Sequence, residues 1–159
     1  MNIDIIAMGN LKESFYKNAV NEYKKRISRY SGIDIIELKE EKLPKNESDK
    51  DIESALIKES LLIKSKIKDR SFKIALDICG KKMDSIEFSK LIEKGSISGG
   101  SNISFIIGSS YGLDEKLKKE CDFRLSISDM TFSHIITRII LLEQIFRAFK
   151  IINNETYHK

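Results

Sequence analysis

Five short apolar runs punctuate the chain, and each is followed by a longer stretch of different periodicity. Ile3–Met8, Ile33–Leu38, Phe72–Ile78, Ile103–Ile107 and Phe123–Ile127 read as strands. Lys12–Tyr30 reads as a helix, with Phe15, Ala19, Tyr23 and Ile27 four apart on one face and Gly32 beyond its end. Ser48 or Asp49 caps a second helix running to about Ile67, after a polar loop at 40–47 that holds Pro44. Asp84 followed by Glu87 resembles a capping box that opens a short helix to about Lys94. Gly95–Ser101 reads as a loop, Asp114–Glu120 as a short helix, Ser128–Ser133 as a loop, 134–150 as a last helix and 151–159 as a tail. Strands alternating with helices imply an α/β domain with a mainly parallel sheet and helices on both faces.

The 159 residues make one domain, 1–159, with 41% hydrophobic and 33% charged residues. That balance excludes a disordered chain and a collagen-like repeat. No apolar run approaches the ~18 residues of a membrane span. The opening MNIDIIAMGN lacks a basic region and a cleavage site, so no secretory leader is expected. Cys79 and Cys121 match no metal or redox spacing and read as free thiols in a reducing cytoplasm. Net charge is +4, and residues 12–30 alone set six cations against two carboxylates. That segment either attracts phosphates or is a solvated helix face.

In parallel sheets, ligands bind beyond the carboxyl ends of the strands. Gly9, Gly80 and Gly108 follow strands here, as turn residues or as points of close approach to a ligand. The last helix carries Ile135, Ile136, Ile139, Ile140, Leu141, Leu142, Ile145, Phe146, Ala148 and Phe149 around nearly its whole circumference. Such a helix needs cover on all sides, from its own domain or from a homodimer partner. G-x-G-x-x-G after the first strand, the P-loop, H-E-x-x-H and G-x-S-x-G are all missing. Two histidines far apart and no cysteine cluster leave no metal expected. What remains lies in the last third. His134 and Arg138 share one helix face beside Ser128–Thr131. Tyr157, His158 and Lys159 combine an aromatic, a titratable ring and a cation, which suits an unstacked RNA base and its phosphate. A capping histidine, an intrahelical ion pair and a frayed terminus are the plainer readings of the same residues.

Phe105-Ile-Ile-Gly108-Ser-Ser-Tyr-Gly112-Leu-Asp resembles the glycine loop of the RlmH (YbeA) family. Ser126-Ile-Ser-Asp-Met-Thr-Phe-Ser-His134 followed by Ile-Ile-Thr-Arg138 resembles its second loop, and Leu141–Phe149 its final helix. Ile3–Gly9, Leu76-Asp-Ile-Cys-Gly80 and the Tyr157-His-Lys159 ending extend the resemblance over the whole length. The resemblance implies a SPOUT-type methyltransferase with a C-terminal trefoil knot. It implies a homodimer that uses S-adenosylmethionine to methylate N3 of a pseudouridine in helix 69 of 23S rRNA on the assembled ribosome. Carried over by position, the cofactor touches Leu76, Gly108, Ile127, Ser128, Asp129, Met130, Thr131 and Phe132. His134, Arg138, Tyr157, His158 and Lys159 form the catalytic and RNA-facing group, the tail serving the partner subunit's site. Ser109 and Ser133 stand where the family usually has glycine and proline. They imply a narrower approach for the cofactor and a looser second loop.

Under this resemblance Arg138 stabilises the negative charge left on pseudouridine when N3 loses its proton. His134 or His158 is the candidate base, and direct loss to water is the alternative. A methyltransferase of the same fold acting on another RNA, such as tRNA, is an alternative reading. So is a non-catalytic ribosome-binding module that works through the basic first helix.

Overall fold

In a computed structural model, residues 1–156 are described. Five parallel strands form one sheet in the order β2-β1-β4-β3-β5, with β1 Asn2–Met8, β2 Gly32–Leu38, β3 Phe72–Lys81, β4 Asn102–Ile107 and β5 Phe123–Leu125. The helices are α1 Ser14–Ile27, α2 Asp49–Lys64, α3 Ser85–Ser98, α4 Glu115–Glu120 and α5 His134–Ile152. Alternation of side chains along the central strands builds two cores. Ile3, Ile5, Ile74, Ile103 and Phe105 meet α1, α3 and α5 on one face. Ile6, Met8, Ala75 and Ile106 meet Ile63 of α2 and Leu117 of α4 on the other. Helices thus cover both faces, as the alternation requires.

Several boundaries move for physical reasons. α1 begins at Ser14, two residues beyond Lys12, because the Glu37 carboxylate accepts the Leu11 amide at 3.0 Å and holds the preceding segment as a loop. Its inward face is Tyr16, Val20, Tyr23 and Ile27, whereas Phe15 is 62% exposed. α2 stops at Lys64, short of Ile67, and its capping box pairs Ser48 with Asp51. α3 runs through Gly95 to Ser98, where a loop was expected. It lies so close to the sheet that a Cβ on Gly95 would meet the Phe72 ring at 2.9 Å, so glycine here serves packing. β3 continues to Lys81 past an irregularity between Leu76 and Lys81, and both residues pair with Leu125. β5 ends at Leu125, two residues early: the Ser126 amide makes a last bond to the Lys81 carbonyl at 3.0 Å, and the Ser126 hydroxyl then closes a turn on the Ser128 carbonyl.

α5 packs against α1 and α3 and buries Leu141, Leu142, Ile145, Phe146, Ala148 and Phe149 within the chain. Tyr30 stacks on Phe149 at 5.5 Å. Much of the expected cover is therefore intramolecular, and Ile136 and Ile140 remain half-buried.

Candidate active site

A cavity of about 1070 Å³ opens at the carboxyl ends of β3, β4 and β5. Three stretches line it: Leu76–Cys79 where β3 bulges, Ile107–Glu115 after β4, and Leu125–His134 after β5, less Ser126 and Asp129. The first half of α2 forms a further wall through Asp49, Ile52, Glu53 and Leu56.

The loop after β4 doubles back on itself. The Gly112 amide donates to the Ser109 carbonyl at 2.9 Å, and a Cβ on Gly108 would run into the Gly112 carbonyl. Only glycine allows that closure. The loop after β5 is fixed by its own hydroxyls. Ser126 Oγ donates to the Ser128 carbonyl at 3.1 Å, and the Met130 amide donates to Ser128 Oγ at 3.0 Å. Ser133 takes φ −61°, the value proline would impose, and its hydroxyl caps α5 by accepting the Ile136 amide at 3.3 Å. The serine thus keeps proline's backbone geometry and adds a cap. The Ser109 hydroxyl is engaged by Glu59 of α2 at 2.9 Å.

Of the residues expected to hold a cofactor, Leu76, Gly108, Ile127, Ser128, Met130, Thr131 and Phe132 all border the cavity. Asp129 does not; it pairs with Lys82 at 2.6 Å on the surface. His134 stands at the rim, with Nδ1 3.8 Å from Glu40 Oε1. Its ring lies over Gly9, where a Cβ would sit 2.8 Å from Nε2; Gly9 also has φ +79°. Arg138 lies apart from the cavity. It is fully buried, and it donates to Glu37 Oε1 at 2.8 Å, to the Met8 carbonyl at 2.7 Å and to the Gly9 carbonyl at 2.5 Å. The guanidinium therefore holds the end of β1 against α5. Burial draws its pKa below the usual arginine value, against the pull of Glu37 and Glu40. Tyr157, His158 and Lys159 lie outside the described residues.

Nothing in the sequence pattern singled out Asp77, which anchors the cavity floor. Its carboxylate is nearly inaccessible. It accepts from Arg124 Nε at 2.9 Å, from Arg124 Nη2 and from the Cys79 amide at 3.3 Å, with Lys118 Nζ 3.7 Å away. Burial raises its pKa, but the Arg124 and amide hydrogen bonds and the Lys118 charge outweigh that and bring it below the usual aspartate value. Its position directly after Leu76 was the one available signal. Asp49, Glu53, Asp77, Asp114 and Glu115 line the cavity with Lys118; Asp77 is paired with Arg124 and Lys118, and Glu115 with Lys118.

A family description, "Predicted SPOUT methyltransferase", matches residues 1–158. This chain belongs to the SPOUT methyltransferase family. It is similar to ribosomal RNA large subunit methyltransferase H 1 of Clostridium perfringens, 49% identical over 159 residues and the full length of both chains. It is 50% identical, again over both full lengths, to ribosomal RNA large subunit methyltransferase H of Clostridium botulinum. The resemblance drawn from the two loops and the final helix is thereby borne out. Among solved structures, a probable methylase family protein from Haemophilus influenzae matches with a TM-score of 0.56 at 15% identity, covering 99% of this chain and 70% of that one. The tRNA (m1G37) methyltransferase of Aquifex aeolicus matches with a TM-score of 0.50 at 15% identity, over 92% and 70%. At that identity the structures share the fold of this SPOUT methyltransferase.

Proposed function

We propose that this protein methylates N3 of a pseudouridine in helix 69 of 23S rRNA on the assembled ribosome, with S-adenosylmethionine as donor. The cavity carries the reading, because three separate stretches of chain bring seven of the eight expected cofactor residues to it. Its chemistry suits that donor. About 1070 Å³ lies just above the range of about 300–1,000 Å³ usual for small-molecule sites, room enough for the donor. Leu76, Ile107, Leu125 and Ile127 offer apolar wall to a purine, and the carboxylates of Asp49, Glu53 and Asp114 suit a sulfonium and an ammonium. The name shared by the two clostridial relatives supports a large-subunit rRNA substrate.

When bound, S-adenosylmethionine supplies a methyl group activated by its sulfonium. The chain's part is to hold the uracil edge in line and to move one proton. N3–H lies between two carbonyls, so its loss spreads charge onto both oxygens. His134, at the rim, accepts the proton, and the nearby Glu40 carboxylate stabilises the imidazolium. Arg138 acts as a positioning residue, fixing α5 and therefore His134 over the end of β1. The family resemblance supports a cytoplasmic homodimer with a knotted C-terminal part, in which Tyr157, His158 and Lys159 serve the partner subunit's site.

Transfer of tritiated methyl to unmodified ribosomes, to the same rRNA stripped of protein and to bulk tRNA tests this reading. Label in the large-subunit rRNA of whole ribosomes alone is expected. Label in tRNA, or in none of the three, overturns it.

A further inference from the structure

Glu59 is a buried carboxylate on α2 that the chemistry above does not use. Each of its oxygens serves a different segment of chain. Oε2 accepts the Ser109 hydroxyl at 2.9 Å, and Oε1 accepts the Glu41 amide at 3.0 Å. Ser109 opens the loop that turns back at Gly112 to line the cavity. Glu41 follows Glu40, the residue facing His134. One carboxylate therefore joins the cavity's α2 wall to the glycine loop and to the segment beside the rim histidine. A second tie, Tyr111 Oη to Glu47 at 2.6 Å, lies on the exposed surface, where water competes for both groups.

We propose that Glu59 is a positioning residue that, through Ser109, sets the glycine loop in its cofactor-binding shape before any ligand arrives. The inference rests on the reading of the cavity as the cofactor site. A hydrogen bond to a buried charge is worth about tenfold or more in an equilibrium constant. Without the tie the loop has to be ordered by the ligand itself, and that ordering subtracts from affinity.

Two readouts on Ser109→Ala, Ser109→Thr and Glu59→Gln test it. The first is hydrogen exchange of the 109–113 amides in the ligand-free protein. Ser109→Ala is expected to speed exchange about tenfold. Ser109→Thr, which keeps the hydroxyl, should stay near the parent, and Glu59→Gln, which keeps one acceptor but loses the charge, should fall between the parent and Ser109→Ala. The second is the split between KM and kcat for S-adenosylmethionine. Ser109→Ala should raise KM about tenfold and leave kcat within about twofold, with the melting temperature lowered by only a few degrees. Parental exchange in Ser109→Ala overturns the proposal, as does faster exchange with unchanged KM. A parent protein that binds no S-adenosylmethionine sinks the cofactor reading. In that case faster exchange still establishes the tie, while its cofactor role falls with that reading.

Discussion

Arg138 is fully buried, and three of its donor contacts serve Glu37 and the end of β1. Removing it takes a donor from the buried Met8 carbonyl, from the half-buried Gly9 carbonyl and from Glu37, whose carboxylate is partly exposed and keeps the Leu11 amide. Arg138→Met should therefore lower stability by about 3 kcal/mol. In a domain of this size that is a fall of roughly 6–12 °C in melting temperature. An unchanged melting temperature with lost turnover would instead return Arg138 to the substrate. The two thiols give a second residue-level prediction. Burial pushes Cys121 up to about 11, whereas Cys79 is exposed on the cavity wall. At pH 8, N-ethylmaleimide should modify Cys79 and spare Cys121, and S-adenosylmethionine should slow the reaction. Peptide mass spectrometry reads both. Equal labelling of the two thiols contradicts the assignment. Sequence pattern could place Arg138 and His134 on one face, since that needs only helical spacing. Which way the guanidinium points was not legible, because Glu37 is 101 residues away in the chain.

At the scale of elements, local signals were readable and tertiary ones were not. The Asp84–Glu87 capping box lies within four residues, and it forms as the sequence implies. α3 passes through Gly95 because Phe72 and Ile103 press against it, which no local pattern contains. The departure of β3 from its partner after Leu76 was equally hidden, and it creates the cavity floor at Asp77. That floor has an acid signature. The folded pKa of Asp77 lies below the unfolded value. Its contribution to stability is thus complete above the ordinary aspartate pKa of about 3.9 and is lost as pH falls further, through the lowered folded value. Between about pH 5 and pH 2.5 the parent should lose melting temperature faster than Asp77→Asn. Parallel curves would show that the Arg124 pairing does not carry through to stability.

At the scale of the whole molecule, the doubly covered parallel sheet follows from the alternation of apolar runs and amphipathic stretches, and the sheet in turn dictates where a ligand sits. The strand order needed the structure, because β4 inserts between β1 and β3. The site was legible mainly through its resemblance to a family; spacing alone left His134 and the 126–133 loop with plainer readings. α5 leaves Ile136 and Ile140 half-buried on one side, one helical turn apart. In the proposed homodimer these residues meet the partner. Sedimentation velocity should show a dimer for the parent and a shift toward monomer for Ile136→Asp/Ile140→Asp. A parent that sediments as a monomer at micromolar concentration contradicts that part of the reading.

The cavity beyond β3, β4 and β5 is the proposed binding place of S-adenosylmethionine. Titration of the isotope-labelled protein with S-adenosylmethionine, followed by amide chemical shifts, tests it directly. The largest changes should fall in three stretches distant in sequence: Leu76–Cys79, Gly108–Leu113 and Ile127–Phe132. Changes confined to the basic α1 surface, or no saturable change at all, would contradict the account.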